Sequence, residues 1–186
     1  LDNKDRWIAT VDFKQKKLLP QHRLHDNAWV NYAFNDFGWL NNTNSLYYLS
    51  EESGYSHLYL KPLNGKAKKL TKGTFEVSSP VLSSDDSYIY FQPNVNHPGN
   101  YEVYRAVLSS GNTEQLTKLG GSTSFTLSPD EQKLLLNFST NLLPNELYVA
   151  EAKPDAAVTR LTDTISEQFK QLPLQAPKIV AVPSSH

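Results

Sequence analysis

With 186 residues, of which 39% are hydrophobic and 11% aromatic, the chain can bury one sizeable core, which excludes an intrinsically disordered protein. Eighteen basic residues stand against 19 acidic, a net charge of −1, which excludes the basic footprint of a nucleic-acid-binding domain. The absence of cysteine removes disulfides, thiolate metal sites and cysteine nucleophiles, and no apolar run approaches the ~20 residues that span a bilayer.

The chain opens on Leu1-Asp2-Asn3-Lys4-Asp5 with neither an initiator Met nor a secretory leader, and it has no Met anywhere. A piece of a longer protein is expected. Trp7 to Phe13 and Lys17-Leu18-Leu19 read as two strands, the outer pair of a blade, giving half a blade over 5–27.

Three segments with the same order of parts follow. A short apolar strand precedes a polar turn in Phe37-Gly38-Trp39-Leu40, Pro80-Val81-Leu82 and Phe125-Thr126-Leu127. A more hydrophobic strand comes next, in Leu46-Tyr47-Tyr48-Leu49, Tyr88-Ile89-Tyr90-Phe91 and Leu134-Leu135-Leu136-Asn137-Phe138. The third strand carries Tyr59, Tyr104 or Tyr148, spaced 45 and 44 residues apart. The fourth ends in Leu70-Thr71, Leu116-Thr117 or Leu161-Thr162, spaced 46 and 45 apart.

A unit of about 45 residues with four short strands is the pattern of a propeller blade. The expected fold is all-β: a partial β-propeller over 1–163. It comprises three complete four-stranded blades at about 34–74, 77–119 and 122–163, and the outer strands of a preceding blade. Ser84-Asp85-Asp86-Ser87 and Ser128-Pro129-Asp130-Glu131 are the expected hairpin turns, and Asn64-Gly65 and Gly111-Asn112 join third to fourth strands. The repeated tyrosines and leucines are expected to pack between blades. Lys66, Lys68 and Lys69 read as the solvated face of a strand and its turn. Since closed propellers have roughly four to eight complete blades, this one is incomplete by itself. Its exposed end blades are expected to make it self-associate, which a clean monomer by light scattering at high concentration would contradict.

Residues 164–186 break the pattern. A short helical turn over Thr164 to Lys170 is followed by Pro173, Pro177 and Pro183, so an extended connector is expected, with 178–182 as the first strand of a next domain.

Chemistry inside the chain is sparse. Gly54-Tyr55-Ser56-His57-Leu58 starts like a nucleophile elbow, but Leu58 stands where the second Gly belongs, and the segment runs into a strand. His22 and His25, three apart in a strand, point to opposite faces and do not form a metal pair. Asp85-Asp86 and Asp130-Glu131 have the composition of an acid/base pair, yet both fall in hairpin turns. His57 reads as a satisfied blade residue. No catalytic residue, metal or cofactor is expected within the chain.

Three stretches carry a family resemblance. Ser50-Glu51-Glu52-Ser53-Gly54-Tyr55-Ser56-His57-Leu58-Tyr59 resembles the S-E-x-x-G-x-x-H-L-Y segment of the dipeptidyl-peptidase IV branch of the prolyl oligopeptidase family. Leu70-Thr71-Lys72-Gly73-Thr74-Phe75-Glu76-Val77 is similar to its L-T-x-G-x-W-E-V, with Phe75 in place of Trp, and Asn96 to Tyr104 to its N-x-x-P-G-x-x-x-L-Y. The resemblance implies an eight-bladed propeller followed by an α/β-hydrolase domain of the same chain, with this sequence as the propeller's second half. The family's serine, aspartate and histidine would lie downstream and its amine-gripping double glutamate upstream. Glu51-Glu52 sits in a different motif and is not given that role. The loop after the position matching Trp29-Val30 comes near the central cavity in this family, so Trp29 and Phe34 are the expected substrate-binding residues, with inter-blade packing of both as the alternative.

The resemblance thus implies a non-catalytic propeller segment of a serine peptidase, gating oligopeptides into a hydrolase domain, with cleavage after proline as the family pattern. The other reading is a TolB-like propeller that binds protein partners, whose blades share the S-P-D…L-Y…L-T order seen over residues 126–162. Location stays open between cytosol and periplasm, the frequent export of Gram-negative family members favouring the periplasm.

Overall fold

A computed structural model describes residues 3–178, 180, 182 and 183. β1 (Asp5–Asp12) and β2 (Lys17–His25) form an antiparallel hairpin with a bulge at Ile8/Ala9. Three four-stranded antiparallel sheets follow in chain order. Blade I holds β3 (Phe37–Trp39), β4 (Ser45–Ser50), β5 (His57–Pro62) and β6 (Lys68–Lys69). Blade II holds β7 (Val77–Leu82), β8 (Tyr88–Pro93), β9 (Tyr104–Val107) and β10 (Thr113–Gln115). Blade III holds β11 (Ser122–Leu127), β12 (Lys133–Ser139), β13 (Glu146–Glu151) and β14 (Thr159–Arg160). This is the partial propeller that the repeat predicts. A single helical turn, α1 (Glu167–Lys170), is capped by the Ser166 hydroxyl, which accepts from the Phe169 N–H at 3.2 Å. The strand expected over 178–182 includes residues 179 and 181, which lie outside the described residues.

Each pair of neighbouring sheets encloses one apolar layer. Ile8, Leu46, Tyr48 and Tyr59 lie between the first hairpin and blade I. Leu49, Leu58, Val77, Ile89 and Phe91 lie between blades I and II, and Tyr90, Val103, Leu134 and Leu136 between II and III. The second strands report this directly. In β8, Ile89, Tyr90 and Phe91 are buried in succession because blade II is covered on both faces. In β12, burial alternates: Leu134, Leu136 and Phe138 point inward while Lys133, Leu135 and Asn137 face solvent.

The hairpin turns fasten blade to blade. In blade II, Asp85 accepts from the Ser83 hydroxyl (2.8 Å) and the Ser87 N–H (2.9 Å), and Asp130 repeats the pattern with Ser128 and Gln132. The next residue in each turn, Asp86 (φ 61°) or Glu131 (φ 58°), reaches back to the preceding blade. Asp86 accepts from the backbone N–H groups of Asn41 (2.8 Å) and Asn42 (2.7 Å), and Glu131 from that of Ser84 (2.8 Å).

Candidate functional site

The two ends of the sheets differ in chemistry. At one end lie the turns just described. At the other lie the β4–β5, β8–β9 and β12–β13 loops and the segments that enter β3, β7 and β11. This second end exposes Trp29, Tyr32, Tyr55, Val95 and Leu142. The C-terminal segment crosses it: Ala176 and Pro177 line a groove of about 480 Å3 together with His97, Asn100, Thr140 and Leu142. A second groove, about 390 Å3, lies between Tyr55, Phe75 and Glu76 on one side and Val95 and His97 on the other.

The structure separates the two residues expected to meet substrate. Trp29 is 62% exposed, presented by a turn in which the Asp26 carboxylate accepts from the N–H groups of Ala28 (2.7 Å) and Trp29 (3.1 Å). Those two bonds, Ala28 first, hold the Asp26 carboxyl below the usual range. Phe34 is only 8% exposed, packed in the layer between blades I and II. It closes a 3-10 turn, Tyr32–Phe34, capped by Asn31, and the turn directs its ring inward while Tyr32 stays outside. Arg6 ties this loop down, its guanidinium donating to the carbonyls of Phe34 and Leu49. Of the pair, Trp29 is the side chain available to a ligand. Nearby, burial and the Glu76 carboxylate raise Glu51 above the usual carboxylate range.

Beneath this end lies a polar device repeated in every blade. In blade I the buried Thr71 hydroxyl accepts from the Leu58 N–H (3.0 Å) and donates to His57 Nδ1 (2.9 Å). His57 Nε2–H donates to the Gly73 carbonyl (3.2 Å), which fixes a neutral tautomer. In blade II, Glu102 replaces the histidine, accepting from Thr117 (2.5 Å) and from the Gly120 N–H (2.7 Å). In blade III, Glu146 accepts from Thr162, from both the N–H (2.7 Å) and hydroxyl (2.9 Å) of Thr164, and from Arg160 (3.1 Å). Each latch ties the start of the third strand to the chain leaving the fourth. Burial, with Lys69 nearby, lowers His57. Glu146 is held down to about 2, chiefly by the Thr162 hydrogen bond acting against burial.

The sequence shows the threonines of this device but not its acceptors. Their signal is His57-Leu58-Tyr59, Glu102-Val103-Tyr104 and Glu146-Leu147-Tyr148, where imidazole and carboxylate share one position.

The other chemical candidates are occupied by structure. The Ser56 hydroxyl donates to the Val77 carbonyl (2.8 Å), and His57 is spent on Thr71 and Gly73, so no elbow forms. His22 stacks on Tyr48 at 4.4 Å, while His25 sits 3.1 Å from Asp5. Among the described residues, no group of three His, Asp or Glu is placed to hold a metal.

The fold is shared with solved peptidases. Porphyromonas gingivalis dipeptidyl peptidase 4 matches 90% of this chain with 24% of its own, at 16% identity and TM-score 0.71. A putative dipeptidyl aminopeptidase IV from Bacteroides ovatus matches 87% with 26% of its own, at 19% identity and TM-score 0.71. TolB from Acinetobacter baumannii matches 83% with 37% of its own, at 17% identity and TM-score 0.57. The chain thus spans about a quarter of the length of the two peptidase structures. Among curated proteins no relative matches. The model of the dipeptidyl peptidase IV (DPP IV) N-terminal region matches residues 2–145, most of the chain. The chain therefore belongs to the dipeptidyl peptidase IV N-terminal-region family.

Proposed function

We propose that this chain is the non-catalytic propeller segment of a dipeptidyl-peptidase-like serine peptidase, and that its aromatic end faces the hydrolase domain and gates oligopeptides toward it. The observation that carries the reading is the exposure of Trp29, Tyr32, Tyr55, Val95 and Leu142 on the end crossed by the C-terminal segment. An exposed set of large apolar side chains on one end is the mark of an interaction surface. Trp29 supplies an apolar wall to a substrate side chain, and Phe34 supports the loop from inside the core. The nucleophile, base and oxyanion donors belong to the hydrolase domain, and the chemistry there is acyl transfer.

The test uses the protein extended at its C-terminus by ~250 residues, the size of one domain. It is incubated with a fluorophosphonate probe and Xaa-Pro chromogenic dipeptides, beside the 186-residue chain. Labelling and cleavage by the long form alone are expected. A long form that is neither labelled nor active overturns the peptidase reading and leaves a TolB-like interaction propeller.

A further inference from the structure

Between the outer strands of blades I and II lies a groove of about 520 Å3. Lys68, Lys69 and Lys72 form one wall, and the β9–β10 turn, Ser110 to Thr113, forms the other. The floor is apolar, made of Phe75, Phe91 and Tyr104 with Pro93 and Val95. Lys68 reaches across the mouth, its Nζ 2.9 Å from where a Cβ on Gly111 would stand. Lys69 donates to the Ser53 hydroxyl at 2.7 Å, and none of the three lysines has a carboxylate partner among the described residues. No Asp or Glu lines this groove.

A groove of similar volume between blades II and III, at their hairpin turns, has a different lining. It is lined by Asp85, Asp130, Glu131 and Glu151 beside Arg105, Lys133 and Lys153, so carboxylates stand among its cations. The blade I–II groove, in contrast, presents three ammonium groups beside aromatic rings with no carboxylate in its lining. Both of its walls belong to complete four-stranded blades. One wall is the outermost strand β6, whose outer edge has no partner strand, a surface that extended peptides use.

We propose that this groove docks an extended acidic peptide segment, its carboxylates on Lys68, Lys69 and Lys72 and its alternate apolar side chains on the part-exposed Phe75 and Tyr104. Alternation of the two side-chain types along an extended chain matches a site with cationic rim and apolar floor. The groove borders the aromatic end through Phe75 and Val95, but the proposal does not rest on the peptidase reading, and its failure would leave that reading untouched.

The test is an NMR titration of the 15N-labelled chain with three capped peptides, Glu-Phe-Glu-Leu-Glu, Gln-Phe-Gln-Leu-Gln and Glu-Ser-Glu-Ser-Glu. The first is expected to shift the amides of Gly111 and Thr113, to weaken as salt rises, and to bind at least about tenfold more tightly than either comparator. Lys68→Glu with Lys72→Glu, both exposed, is expected to abolish that preference, while Lys133→Glu with Lys153→Glu leaves it intact. Equal binding of the glutamine peptide, equal binding of the serine peptide, or an unchanged affinity in the Lys68/Lys72 double variant would each overturn the proposal.

Discussion

The two ends of this half-propeller are built from the same repeat and finished in opposite ways. At the hairpin end of blades I to III, Asn41, Ser83, Asp85, Asp86, Ser128, Asp130 and Glu131 hydrogen-bond one another within and between blades. At the other end the loops carry Trp29, Tyr32, Tyr55, Val95 and Leu142 into solvent, and their polar bonding is withdrawn beneath the surface into the His57, Glu102 and Glu146 latches. Under the proposed function, the contrast divides stability from contact. The polar end closes the fold; the aromatic end is held from below so that its surface is free for contact.

The largest stability effect is expected from the hidden side of the aromatic end. Glu102→Ala leaves the buried Thr117 hydroxyl and the Gly120 N–H without their acceptor. The cost should be about 3 kcal/mol, a fall in Tm of roughly 9 °C for a domain of this size, read by calorimetry. At the polar end, Asp86→Gly removes the carboxylate that accepts from Asn41 and Asn42 but relieves a positive φ, so a loss of only about 1 kcal/mol is expected. If Asp86→Gly proves costlier than Glu102→Ala, the proposed division of labour is wrong.

Acid should separate the latches from one another. His57 is lowered in the fold, so its contribution is whole above its ordinary value of 6.5 and is lost as pH falls through the lowered one. Glu146 contributes in full above 4.5 and loses its contribution only as pH falls toward about 2. Hydrogen exchange should therefore show the Leu58 amide losing protection at a higher pH than the Thr164 amide. Simultaneous loss would refute the assignment.

Thr123 allows a smaller test. It stands wholly buried where the other blade entries have Val30 and Val77, and its hydroxyl has no hydrogen-bond partner among the described residues. Thr123→Val should raise stability by about 1 kcal/mol, whereas a loss in the same calorimetric measurement would mean the hydroxyl is satisfied in solution.

Much of this was legible in the sequence, and the limits have physical causes. The blades were readable because Tyr59, Tyr104 and Tyr148 and the threonines Thr71, Thr117 and Thr162 each do one task at one place in the repeat and so keep one identity. The latch acceptors were not, because His57 and Glu102 do one job with different chemistry: both accept from a threonine hydroxyl. The reach of Asp86 and Glu131 to the preceding blade was hidden for another reason, since a turn motif states its local bonds and not its neighbours. Trp29 entered through family resemblance, and only the structure separated it from Phe34 by exposing one ring and burying the other. The lysines at 66–69 looked like an ordinary solvated face, and nothing in their spacing announces the aromatic floor that blade II places beside them.

The most direct test of the central division compares one substitution at each end in the extended protein, scored with an Xaa-Pro chromogenic dipeptide. Trp29→Ala should leave stability within about 0.5 kcal/mol and lower kcat/KM about tenfold, chiefly through KM, while Ser84→Ala at the polar end leaves kcat/KM unchanged. Equal kinetic effects at the two ends, or an unaltered kcat/KM in Trp29→Ala, would contradict the account.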